Sequence, residues 1–159
     1  MFRLIEENLV RQNKALILLS VLLEEEFARL MQSKPQSVSQ IELSIQELMR
    51  QIAMERVCLR KHVGKQAEGA QRVRDLFLIM DDEQRATYEQ LLQMLDDTEQ
   101  KCAVQAAKNN QMTMALFEQS KKLLDYMHDQ IKPKNTTAYA QSGRFAKANS
   151  SARLLSGRL

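Results

Sequence analysis

Few residues in this 159-residue chain are of the types that do chemistry, and their spacing is uninformative. The two histidines, His62 and His128, fall near the ends of helical segments, where surface or helix-end roles suit them. Cys58 and Cys102 lie far apart in helical surroundings and read as small buried or half-buried hydrophobes. With two histidines and no C-x-x-C there is no zinc site to propose. Asp81-Asp82 and Asp96-Asp97 are acidic pairs that suit helix caps and solvated faces better than acid–base work. Gly64 and Gly69 lie five apart with no strand before them, so no phosphate-cradling loop is readable. No catalytic residue, cofactor site or metal site is expected, and the chain does not read as an enzyme.

The elements around these residues are helical. Apolar residues make up 44% and charged residues 27%, with 4 Gly, 2 Pro and no Trp, which disfavours a turn-rich β fold. Seventeen Gln, nine Met and few β-branched residues favour long helices. Phe2, Leu9, Leu16, Leu23 and Leu30 repeat every seven residues over a first segment, about 2–32, with Leu19 and Phe27 beside them. Ser33-Lys34-Pro35 breaks it. Val38, Ile41, Ile45, Leu48, Ile52 and Leu59 stripe a second segment, about 36–63, in which Glu55 takes an apolar place as a charge awaiting a partner helix. Residues 64–69 form a connector, and Val73–Met80 a short covering helix.

The third segment, about 82–131, has no Gly or Pro for 50 residues and would be ~75 Å long as one helix. Tyr88, Leu91 and Leu95 begin its stripe, and Met112, Leu116, Leu123 and Met127 finish it. Between them Thr98, Gln105, Asn109 and Asn110 stand where apolar residues are expected, leaving open a kink near Asn109. So long a helix outruns its partners in a small domain. Part of its second half should therefore be exposed or covered by another chain: Met112, Met114, Leu116, Leu123, Leu124 and Met127 either pack on the first helix or offer an adaptable apolar surface to a partner.

Charge divides the chain. Every acidic residue lies at or before Asp129, and residues 132–159 carry six basic residues, leaving 1–131 at −3. The tail's Tyr139, Phe145, Leu154, Leu155 and Leu159 are isolated anchors in a segment too polar to bury a core of its own. The expected architecture is all-α: an antiparallel helical bundle or coiled coil over 1–131 with one very long third helix, then a flexible basic tail, 132–159. Ala15–Leu23 is too short to span a bilayer and is flanked by glutamates unsuited to a signal peptide, so a soluble cytoplasmic protein is expected. Six dispersed tail charges are sparse for nucleic acid, and do not cluster as a membrane-surface helix would.

Four stretches carry a resemblance: LLSVLLEEEFARL (18–30), ELMRQIAMERVCLRKHVG (47–64), KNNQMTMALFEQS (108–120) and TAYAQSGR (137–144). Their order and spacing resemble the flagellar export chaperones of the FlgN type. Gln111 departs from the pattern, because the family often has Gly after the Asn pair. The resemblance implies a small helical cytoplasmic protein, without a cofactor, that binds the terminal helices of hook-associated proteins. It would prevent their premature assembly and deliver them to the export gate of the flagellar type III apparatus. It assigns export-gate docking to Tyr139, with Gly143 completing a Tyr-x-x-x-Gly element. The alternative from the residues alone is a structural helical adaptor that oligomerises through its long helix. Monomer and dimer are equally compatible with the sequence.

Overall fold

The computed structural model describes residues 2–131. Three α-helices follow in order, α1 (Arg3–Met31), α2 (Pro35–Gln66) and α3 (Asp82–Ile131), with a 3-10 helix at Val73–Ile79 between the last two. The chain divides into two compact units, Met1–Thr113 and Met114–Leu159.

In the first unit the expected stripes form the core. Leu9, Leu16, Leu19, Leu23 and Leu30 of α1 are buried, as are Ile41, Ile45, Leu48 and Ile52 of α2, with Val38 and Leu59 half-buried at the ends of that stripe. Pro35 takes the first turn of α2, where its missing N–H costs nothing. Ser33 makes the turn before it at φ 52°, and its N–H donates to Leu30 O at 3.0 Å. Asn8 and Arg11 meet Glu55, and Arg29 meets the Ser37 carbonyl, so α1 and α2 run antiparallel.

Two boundaries differ from the sequence reading. α2 continues through Gly64 and Lys65 to Gln66, and the connector falls at 67–72 rather than 64–69, because a solvent-facing glycine is tolerated near a helix end. The covering helix is 3-10, held at its start by the Asp75 carboxylate, which accepts from the Gln71 and Arg72 backbone N–H groups. Those two bonds hold Asp75 below the usual carboxylate range. Val73 and Leu76 are buried beneath it. Asp81 caps α3 as expected, accepting from the Gln84 N–H at 2.7 Å. α3 is assigned as one helix from Asp82 to Ile131 with no break at Asn109.

Candidate functional site

Within the first unit, α3 lies on α1 in a fixed register. The Tyr88 hydroxyl donates to Phe2 O at 2.9 Å, the Cys102 thiol to Leu16 O at 3.4 Å, and the Asn109 amide to Leu23 O at 2.8 Å. Each pair is separated by 86 residues, and the contacts recur at multiples of seven. α1 and α3 are therefore parallel, joined along a heptad seam of Tyr88, Leu95, Cys102 and Asn109, all buried. Leu16 and Leu23 offer main-chain carbonyls of α1, each with a second lone pair beyond its helical bond, and Phe2 offers the carbonyl at the cap of that helix, which also accepts from the Ile5 and Glu6 N–H groups. The Tyr88 ring also meets Phe2 edge to face, with centroids 6.4 Å apart. Burial, with Glu6 nearby, pushes its hydroxyl pKa up to about 12. Burial, then the neighbouring Glu99, pushes the Cys102 thiol up as well.

Polar side chains are bonded into this interior. Asn109 donates a second time to Glu26 Oε2 at 2.7 Å and accepts from Gln105 at 2.9 Å. Asn8 is fully buried; it donates to Glu55 O at 3.1 Å and accepts from Gln12 at 2.6 Å. Glu55, the charge interrupting the α2 stripe, meets Arg11 in a two-bonded pair at 3.1 Å. Pairing to a neighbouring helix is what its position in the sequence called for.

Among the polar α3 residues placed on the stripe, Asn109 is buried and Thr98 and Gln105 are half-buried, whereas Asn110 points to solvent. One residue advances a helix by 100°, so adjacent asparagines cannot both face α1. Cys58 is exposed rather than buried, on the outer side of α2. Cys102 sits in the core as expected.

In the second unit the described residues are the 114–131 stretch of α3. Leu116 is half-buried there, while Phe117, Leu123, Leu124, Met127 and Ile131 are exposed, Phe117 by 70% and Leu124 by 65%. At 100° per residue these six fall within an arc of roughly 120°, a single apolar face. Leu116 and Leu123 are the next two positions of the series 88, 95, 102, 109. Met112 is half-buried in the first unit. Met114, counted with this surface from its sequence neighbours, lies about 160° from Leu116 and off the face. Phe117 and Ile131 were missed, although a helical wheel places both on it. Tyr139 and Gly143 lie outside the described residues.

Among the described residues no cluster of His, Cys, Asp and Glu could hold a metal ion, and no helix is long and apolar enough to cross a membrane. A contiguous exposed apolar face of this kind is a common feature of interaction surfaces. The model of one protein family, described as FlgN protein, matches residues 1–146. No curated protein and no solved structure matches the chain.

Proposed function

The chain belongs to the FlgN family of flagellar export chaperones, and we propose that it holds a terminal amphipathic helix of a hook-associated protein on the apolar face of 114–131. The observation that carries this reading is the exposure of Phe117, Leu123, Leu124, Met127 and Ile131 along one side of a helix. An amphipathic helix left free would aggregate through its apolar side, and a facing apolar stripe on a stable helix supplies the missing partner. Methionine and leucine together tolerate more than one cargo sequence. Holding the segment in the cytoplasm prevents premature assembly. Tyr139 and Gly143 then dock the loaded complex on the export gate, so that binding and delivery use separate parts of the chain.

Isothermal titration against the terminal helix of a hook-associated protein tests the first half. Leu123→Asp with Leu124→Asp alters only exposed side chains and should weaken binding on the order of a hundredfold at unchanged helicity. Leu116→Asp with Leu123→Asp should do the same, and loss of helicity in that variant alone would make Leu116 a core residue. Undiminished binding by both variants rules the face out. Truncation after Pro133 should retain cargo affinity and abolish export; unchanged export would remove the tail from the mechanism. The same face would suit a second copy in a structural oligomer. Sedimentation separates the two, because that alternative predicts a constitutive oligomer dissociated by the Leu123→Asp, Leu124→Asp variant.

A further inference from the structure

On the first unit, four arginines surround an open cleft of about 360 Å³. Arg56 and Arg60 come from α2, Arg72 and Arg74 from the start of the 3-10 helix, and Leu59 and Leu92 contribute apolar floor from α2 and α3. Asp96 is the one acidic residue on its walls. The surrounding sequence reinforces the sign. Residues 56–74 hold six Lys or Arg against one Glu, a local charge of +5 in a body that is otherwise acidic.

The positive groups are only loosely neutralised. Arg74 reaches Asp96 at 3.8 Å with both side chains more than 60% exposed, and Arg56 pairs with Glu99 with both near half exposure. Exposed pairs of this kind contribute little and exchange readily with carboxylates brought by a ligand. Arg60 has no ion-pair or hydrogen-bond partner among the described residues and is exposed. A folded chain does not gather four guanidiniums around an apolar floor for its own stability, since the repulsion among them opposes folding. Guanidinium forks match carboxylate oxygens in pairs.

We propose that this cleft binds an acidic segment of a partner protein, one that sets carboxylates against the arginine rim and an apolar side chain on Leu59 and Leu92. Residues 132–159 contain no Asp or Glu and so bring no side-chain carboxylate to the arginine rim. A nucleic acid would also meet the arginines, but the cleft walls hold no aromatic residue on which a base could stack. The cleft shares no residue with the 114–131 face, so on the function proposed above each can be tested without the other.

The test uses the full chain and a fluorescent peptide carrying four glutamates around a Leu-x-x-x-Leu pair, read by anisotropy. Saturable one-to-one binding is expected. Arg60→Ala with Arg72→Ala should weaken it about tenfold, with circular dichroism unchanged. The Arg60→Lys, Arg72→Lys variant should recover part of the loss. A peptide with the glutamates replaced by glutamine, or the leucines by serine, should bind more weakly than the parent. The Leu123→Asp, Leu124→Asp variant should bind the acidic peptide as the wild type does, which keeps this result independent of the cargo surface. The proposal is overturned if binding does not saturate, if the glutamine peptide binds equally, or if the arginine-to-alanine variant is unaffected. It is overturned equally if a single-stranded oligonucleotide displaces the peptide at lower concentration, or if the cleft proves to join two copies of the chain.

Discussion

Asn109 occupies a seam position where a coiled coil would place leucine, and its replacement separates hydrogen bonding from packing. Its amide donates to Leu23 O and to Glu26, its carbonyl accepts from Gln105, and it is 4% exposed. Asn109→Ala removes all three bonds. Leu23 O keeps its bond within α1, and Glu26 is only half-buried and recovers water, so neither partner is stranded completely. The expected cost is about 2 kcal/mol. Asn109→Leu loses the same bonds but buries a leucine between apolar neighbours, which offsets about 1.5–3 kcal/mol; the net change should be under ~1 kcal/mol. Asn109→Asp sets a carboxylate against Glu26 and a main-chain carbonyl and should cost more than ~3 kcal/mol at neutral pH. Part of that loss should return on acidification, as protonation restores a donor. Urea unfolding followed at 222 nm would report these as midpoint shifts, with 2 kcal/mol moving the midpoint by about 1 M. The reasoning fails if Asn109→Ala leaves the midpoint in place, or if Asn109→Leu is as unstable as Asn109→Ala.

Tyr88 makes the protein alkali-sensitive. Its hydroxyl pKa stands at about 12 in the fold against 10.0 for the ordinary group, so the neutral form's stabilisation is complete below pH 10 and lost as pH rises from 10 to 12. The loss is about 2–3 kcal/mol; Tyr88→Phe should unfold less steeply over that window, and an unchanged slope would refute the assignment. Ser33 holds a left-handed backbone conformation at φ 52°, so Ser33→Gly should raise stability by about 0.5–1 kcal/mol in thermal unfolding; a lowered Tm would count against strain there. Ellman's reagent at pH 8 should find one fast thiol, Cys58, and a second, Cys102, only in denaturant; two fast thiols would mean that α3 opens readily from α1.

The helices were legible because their apolar residues recur at heptad spacing and proline marks the first break. Leu9, Leu16, Leu23 and Leu30 alone predict one buried side of α1. What the sequence hid was polar and distant. Asn8 and Gln12 look like surface residues until Glu55, more than forty positions away, is folded against them. The basic cleft was invisible for the same reason. Its arginines come from two elements and its floor includes Leu92 from a third, whereas the conspicuous charge asymmetry of the chain pointed to the tail. The exposure of apolar residues along 114–131 was readable from the length of the helix, but neighbours in sequence are not neighbours on a helix. Met114 was counted in and Phe117 left out, and the 100° step reverses both.

The polar seam residues also bear on which register α1 and α3 adopt. A parallel pair of heptad stripes is satisfied by any shift of seven residues, and a purely apolar seam has little to choose between them. Shifted by one heptad, α3 would present Leu116 to Leu23, a better apolar match than asparagine. The shift would forfeit the Asn109 bonds to Leu23 O and Glu26, the Cys102 bond and the Tyr88 bond at once. Those bonds favour one register over its heptad-shifted neighbours. Asn109→Leu should therefore preserve stability and loosen register. In a Cys58→Ser, Leu123→Cys background, alkylation of the thiol at position 123 should slow when Asn109 is replaced by leucine, because the shifted register would set that position, exposed in the native fold, against Leu30. Equal alkylation rates with and without Asn109→Leu would mean that shape alone sets the register, and that the asparagine contributes only its bonds.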